Sequence, residues 1–178
     1  MIFSETPLPG AYVIDAEPIG DERGFFARFW SAEVFAARQL VTRFDHVSVS
    51  FNTKAGTLRG MHYQAPPFAE TKLIRCIRGA IYDVAVDLRP HSPAYRKWTS
   101  VELTADNRRA FYIPAGCAHG FQTLTPDAEV LYMIDAPYSA SHGRGVRWND
   151  PAFGITWPDS AERVMNDRDA GYPDFSGS

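Results

Sequence analysis

The chain has 178 residues, 45% hydrophobic and 22% charged, the balance of an ordinary globular domain, which excludes disorder as its organising theme. Lys plus Arg number 18 and Asp plus Glu 21, a formal net charge of −3, so there is no global basic footprint for nucleic acid, although Arg far outnumbers Lys and suits local phosphate or carboxylate recognition. Cys76 and Cys117 make neither a disulfide framework nor a Cys-x-x-Cys zinc pattern; with no leader-like start and no run approaching about 20 apolar residues, they fit a cytoplasmic protein with no membrane segment.

Short apolar runs, 13 glycines and 13 prolines predict an all-β sandwich or barrel. In chain order the expected strands are 11–18, 25–30, 46–52, 57–63, 71–78, 80–88, 97–103, 109–113, 119–124, 128–135 and 146–149. Within the sixth, Tyr82, Val84, Val86 and Leu88 share one face while Asp83, Ala85 and Asp87 share the other, because strand side chains alternate. One short helix is expected after Ser31, which can cap it, with Glu33 in its first turn and Val34, Phe35 and Leu40 on a partial apolar face. A second helical turn is expected near 159–164, and the tail Phe175-Ser176-Gly177-Ser178 is expected to be loose.

Two patterns concentrate reactive side chains. Gly60-Met61-His62-Tyr63-Gln64 is followed by Glu70 and Gly79, and Pro114-Ala115-Gly116-Cys117-Ala118-His119-Gly120-Phe121 comes later. His62 and Gln64, two apart on a strand, face the same way. A Pro-x-Gly turn precedes the strand that carries His119. Together the two patterns resemble the signature motifs of the cupin superfamily, whose fold is a double-stranded β-helix or jelly-roll barrel with a few short helices. The resemblance implies one cupin-like domain over 1–178: N-terminal strands and the short helix over 1–45, a jelly-roll core over 46–150 and a C-terminal segment over 151–178. A metal-binding cupin would place a second imidazole at position 64; an amide there is a poor ligand for zinc or iron. His91, between Pro90 and Ser92, reads as an ordinary surface residue.

The resemblance narrows on longer strings. Asp21-Glu22-Arg23-Gly24-Phe25-Phe26, Gly56-Thr57-Leu58-Arg59-Gly60-Met61-His62-Tyr63-Gln64, Lys72-Leu73-Ile74-Arg75 and Asp83-Val84-Ala85-Val86-Asp87-Leu88-Arg89 are similar to motifs of the dTDP-4-dehydrorhamnose 3,5-epimerase family. So are the Ile113–Phe121 string, Tyr132, Tyr138, Trp148-Asn149-Asp150-Pro151 and Trp157-Pro158, in one order along nearly the whole chain. The resemblance implies a cofactor-free and metal-free epimerase of a nucleotide-linked 4-keto-6-deoxy sugar. Removing a hydrogen alpha to a ketone needs a base with a pKa near ambient pH, which suits histidine. Inversion needs an acid on the opposite face, and the developing oxyanion needs a donor or cation. By the resemblance His62 is the base, Asp169 its carboxylate partner (with Asp167 as competitor), Tyr132 the proton donor, and Lys72 the cation near the keto oxygen. His119 lines the same pocket, Arg23 and Arg59 contact the diphosphate, and Tyr138 stacks on the base. A homodimer is implied, with Arg23 and Arg28 able to serve the neighbouring subunit's pocket.

The chain departs from the family pattern at its nucleotide rim. Arg28 stands where a Glu is usual, His46-Val47-Ser48 where Gln-x-Asn is usual, and Asn166 and Arg168 replace residues of a Ser-x-Lys-Asp stretch. His46, Ser48, Arg28 and Arg168 are therefore expected to read the substrate differently, which leaves the nucleotide carrier open, as it leaves C3-only against C3-and-C5 inversion. Three other readings stand beside this one: a metal-dependent cupin isomerase or dioxygenase using His62, Gln64, Glu70 and His119; a 3,4-ketoisomerase; and a non-catalytic nucleotide-sugar binder.

Overall fold

The computed structural model describes residues 1–177. In chain order the elements are β1 (Ile2–Glu5), β2 (Tyr12–Asp15), β3 (Ile19–Asp21), β4 (Gly24–Phe26), α1 (Ala32–Ala36), β5 (His46–Asn52), β6 (Leu58–Gln64) and β7 (Lys72–Arg78). There follow β8 (Ala80–Asp87), β9 (Trp98–Thr104), β10 (Ala110–Ile113), β11 (Cys117–Thr123), β12 (Ala128–Ile134), β13 (Gly143–Gly145) and α2 (Asp167–Ala170). The strands form three antiparallel groups. One sheet has the order β1-β2-β10-β7-β12-β5, a second β13-β6-β11-β8-β9, and β3 and β4 make a separate hairpin.

The chain is all-β as expected, but the expected jelly-roll barrel is not what forms. Neither large sheet closes on itself or hydrogen-bonds to the other: β1 and β5 are free edges of the first, β13 and β9 of the second. Alternation along each strand specifies two buried faces, which two stacked open sheets satisfy as well as a closed barrel does.

Three apolar layers fit this stack. Between the sheets lie Ile74, Cys76, Ile81, Ala85, Phe111, Phe121 and Val130. Outside the six-stranded sheet, Ile14, Leu73, Ala110 and Tyr112 pack under the N-terminal segment through Phe35 of α1. Outside the five-stranded sheet, Met61, Val84, Val86 and Ala118 pack under the C-terminal segment through Phe153, Trp157 and Phe175. The alternation read in β8 is therefore correct in its faces, while both faces are buried. Burial pushes the Cys76 thiol up to about 11 and the Cys117 thiol up to about 12, so both are inert as nucleophiles.

Several local expectations change. Ser31 sits at the N-cap of α1 but its side chain makes no cap bond; its carbonyl accepts from the Phe35 N–H instead. No helix forms at 159–164; the turn is α2, where the Asn166 side chain accepts from the Asp169 N–H at 2.7 Å. A strand at 2–5 was not expected, and the last strand falls at 143–145 rather than 146–149. Phe175 of the tail is held, its N–H donating to Asp150 and its ring against Phe153; Ser178 lies outside the described residues. No helix is long and apolar enough to cross a membrane among the described residues.

Candidate active site

The site lies between the two large sheets, next to the apolar layer that fills the rest of that space. β6 and β11 run antiparallel with His62 directly paired to His119, so both rings project from the same face of the five-stranded sheet. Two glycines let those strands approach. A Cβ on Gly60, whose φ is +132°, would meet the Cα of Gly120 at 2.5 Å, and the ladder shifts register between His119 and Phe121 at that point. Tyr132 on β12 and Lys72 on β7 face the same space from the six-stranded sheet. The result is a cavity of about 370 Å³ lined by His62, His119, Lys72 and Tyr132, with His46, Ser48, Arg59, Glu70, Tyr138, Arg144 and Arg168 toward its walls and mouth.

Each histidine is held by its own carboxylate. His62 Nε2 lies 2.7 Å from Asp169 Oδ1, and Asp169 Oδ2 accepts from the Gly60 N–H at 3.0 Å. Asp169 is 1% exposed. Burial raises its carboxyl, but the His62 hydrogen bond and charge, the Gly60 N–H and Arg168 outweigh that and hold it below the ordinary value. It is thus a carboxylate at neutral pH, and the matching tautomer of His62 carries its proton on Nε2. His119 Nε2 lies 2.6 Å from Asp83 Oδ1. Here burial dominates: it lowers His119 and raises Asp83, against their mutual attraction. Asp83 Oδ2 is buried with no partner, which adds to the cost of ionising that carboxyl.

On the opposite wall the Tyr132 hydroxyl lies 3.3 Å from Ser50 Oγ. Burial pushes it well above the ordinary phenol value, against the Ser50 bond and Arg59, so it is protonated at neutral pH and able to donate. Lys72 is 6% exposed; its Nζ donates to the His62 carbonyl at 3.2 Å and pairs with Glu70 Oε1 at 3.0 Å. Arg59 is fixed by Nε donating to Asn52 Oδ1 at 2.7 Å. Arg59, Arg144 and Arg168 are exposed at the mouth, and Tyr138 is 71% exposed.

Of the twelve residues singled out from the sequence, nine line this one cavity: His62, Lys72, Tyr132, His46, Ser48, Arg59, His119, Tyr138 and Arg168. Asp169 stands behind His62, and Asp167 is exposed, which separates the two competitors. Arg23 and Arg28 do not reach the cavity. Arg23, on the exposed hairpin turn, pairs with Asp21 next to it. Sequence reasoning missed Asp83 as a histidine partner, and Arg144. An Asp on the same strand face as Ala85, in a segment otherwise rich in apolar residues, was the available signal for the first; nothing marked Arg144.

The donor set does not suit a metal. Gln64 is fully used: its Nε2 donates to the carbonyls of Phe68 and Pro137, and its Oε1 accepts from the Ser139 N–H. Glu70 is committed to Lys72 and His119 to Asp83. Among the described residues no group of three His, Cys, Asp or Glu is placed to hold a metal ion.

A model of the family described as dTDP-4-dehydrorhamnose 3,5-epimerase matches residues 5–177. The chain is 41% identical over 173 residues to the dTDP-4-dehydrorhamnose 3,5-epimerase of Sinorhizobium fredii (strain NBRC 101917 / NGR234), covering 97% of this chain and 89% of that one. The fold is similar to the crystal structure of dTDP-4-dehydrorhamnose 3,5-epimerase from Bacillus anthracis str. Ames with TDP and PPi bound, with a TM-score of 0.93, 41% identity, and 98% and 99% of the two chains covered. It is also similar to ChmJ, a 3'-monoepimerase from Streptomyces bikiniensis, in complex with dTDP-quinovose, with a TM-score of 0.87, 33% identity, and 95% and 85% covered.

Proposed function

The chain belongs to the dTDP-4-dehydrorhamnose 3,5-epimerase family, and from that premise we propose that His62 and Tyr132 carry out its reaction from opposite walls of the cavity. The enzyme is a metal-independent isomerase that epimerises a dTDP-linked 4-keto-6-deoxy sugar next to its C4 ketone. The observation that carries the assignment of roles is the placement of a histidine on one sheet, backed by the Asp169 carboxylate of α2, and a protonated tyrosine on the sheet opposite, with one cavity between them.

The Asp169 carboxylate holds the Nε2 proton of His62, so Nδ1 takes the proton from the sugar carbon, and Asp169 then stabilises the imidazolium. The electron pair moves onto the ketone oxygen as an enolate. Lys72 and His119 face that oxygen as cation and donor, in a buried site where such contacts are strongest. Tyr132 returns a proton to the carbon from the other face, which inverts the centre. Once solvent has taken the proton from His62 and returned one to Tyr132, a second cycle at the other carbon flanking the ketone gives double inversion. Arg59 and Arg168 meet the diphosphate as guanidinium donors, and Tyr138 offers its exposed ring to the base, with His46 and Ser48 beside it.

All these groups come from 1–178 acting as one domain. The working form is a homodimer. What supports this is the apolar outer row of the edge strand β5, with Val47, Val49 and Phe51 at 59%, 56% and 46% exposure, and the β3–β4 hairpin with Ile19 at 75% and Phe26 at 67%. A free edge and an apolar hairpin are unstable in water unless covered. Covering them with a second copy brings Arg23 and Arg28 toward the neighbouring cavity. The two free thiols suit the cytoplasm.

The test is proton NMR of dTDP-4-keto-6-deoxyglucose with the protein in D2O and excess EDTA. Deuterium entering C3 and C5 is the expected result, and C3 alone makes the enzyme a single epimerase. Absence of exchange at both carbons refutes the reading.

A further inference from the structure

Glu70 is the only carboxylate among the described residues lining the cavity, and the reaction as derived gives it no task. It is also nearly sealed. The Glu70 and Lys72 side chains are 10% and 8% exposed, and Glu70 Oε1 lies 3.0 Å from Lys72 Nζ. A buried anion beside a site where negative charge develops opposes that charge, so its presence calls for a compensating role.

Lys72 supplies the role. A lysine is a point charge on a flexible stem with three N–H donors and no directional preference of its own. Here one N–H donates to the His62 carbonyl at 3.2 Å, and the ammonium is ion-paired with Glu70 Oε1 at 3.0 Å. A carbonyl and a carboxylate together hold the ammonium in one place at the cavity wall. Glu70 is itself fixed from both sides of its loop. Gln64 Nε2 donates to the Phe68 carbonyl, and the Thr71 N–H donates to Asp135 Oδ1 at 2.6 Å. We propose that Glu70 is a positioning residue for the epimerisation: it orients Lys72 so that an N–H meets the ketone oxygen as it becomes an enolate. This rests on the epimerase reading.

The experiment compares wild type, Glu70→Ala, Glu70→Gln and Glu70→Asp, each also on a Lys72→Met background, by steady-state kinetics and deuterium exchange with dTDP-4-keto-6-deoxyglucose. Because the interaction matters in the transition state, Glu70→Ala should lower kcat about tenfold or more while KM moves less than about threefold. Glu70→Gln keeps the acceptor oxygen at the same reach and should return kcat to within about threefold of wild type. Glu70→Asp, one methylene short, should fall with Glu70→Ala and covers the case in which the alanine variant does not fold. On the Lys72→Met background Glu70→Ala should add nothing. An unchanged kcat, a rise in KM alone, failure of the glutamine to rescue, or an equal loss with and without Lys72 overturns the role of Glu70 while wild-type exchange keeps the epimerase reading standing. Absence of exchange in wild type overturns both.

Discussion

His62 and His119 are direct partners across the β6–β11 ladder, and each hydrogen-bonds a buried carboxylate of its own, Asp169 at 2.7 Å and Asp83 at 2.6 Å. The two pairs are alike in geometry and opposite in electrostatics. The His62 side chain is 39% exposed and that of His119 5%. Asp169 is held below the ordinary carboxyl value and Asp83 above it. An ionised partner stabilises the imidazolium that a base must become, whereas burial at His119 opposes that charge. The environment, more than the residue type, is what suits His62 to the proposed role of base and His119 to that of donor.

Exchange should therefore respond unequally to the two histidines. His62→Asn removes the proposed base and should lower the rate of alpha-hydrogen exchange by about 10²–10⁴. His119→Asn retains a donor amide and should cost about 10–10². Deuterium uptake by NMR under single-turnover conditions measures both. Equal losses would show that the two pairs share one role.

Tyr132→Phe separates abstraction from inversion. The phenyl ring keeps the packing against His119, whose ring centroid lies 6.1 Å away, and removes only the hydroxyl. His62 still takes and returns the proton on its own face, so deuterium should enter the substrate without change of configuration, while product forms about 10²-fold more slowly. Product and exchange slowing by the same factor would move the abstraction step to Tyr132 itself.

How much of this was legible in the sequence depended on whether the signal was local. The strands near 46–52, 72–78 and 128–134 follow from alternation between turn residues, and the elements that carry His62, His119 and Tyr132 were placed within a few residues. Closure was not legible, since it depends on whether two edges far apart in sequence bond, and neither β1 nor β5 pairs further. Asp83 was assigned to its correct face, yet alternation alone does not say that this face too is buried. Glu70 followed two prolines, and its direction was decided by Gln64 at the end of β6 and Asp135 just past β12 acting on the loop. Arg23 carried the family motif and Arg28 a departure from it, but neither reaches the cavity of its own chain.

The carboxyl shift at Asp169 sets a signature in acid. Its folded value lies below the unfolded one, so between the two the unfolded chain binds more protons and stability rises with pH. The contribution is complete above the unfolded value of about 3.9 and is lost as pH falls through the folded value. Asp169→Asn cannot carry it. Urea midpoints should differ most between wild type and variant near pH 6 and converge as pH falls below about 4. A difference that stays constant from pH 6 to pH 3 would mean that the carboxylate charge adds nothing to the fold.

The close approach of β6 and β11 gives a last prediction, because the same contact sets the register that pairs His62 with His119. A Cβ on Gly120 would meet Met61 Sδ at 2.6 Å, the Arg59 carbonyl at 2.8 Å and Gly60 Cα at 3.1 Å. The sulfur can swing aside, but two of the three neighbours are backbone, so the strands must separate. Overpacking of this kind costs about 1–3 kcal/mol, and a chain of this length loses about 2–4 °C per kcal/mol. Gly120→Ala should therefore lower Tm by about 2–12 °C. It should also slow exchange more than a stability loss of that size accounts for at 25 °C, where the variant is still folded, because separated strands carry His62 and His119 apart. A lowered Tm with exchange unchanged would place the glycine pair in the fold alone, and would leave the spacing of the two histidines without influence on the chemistry.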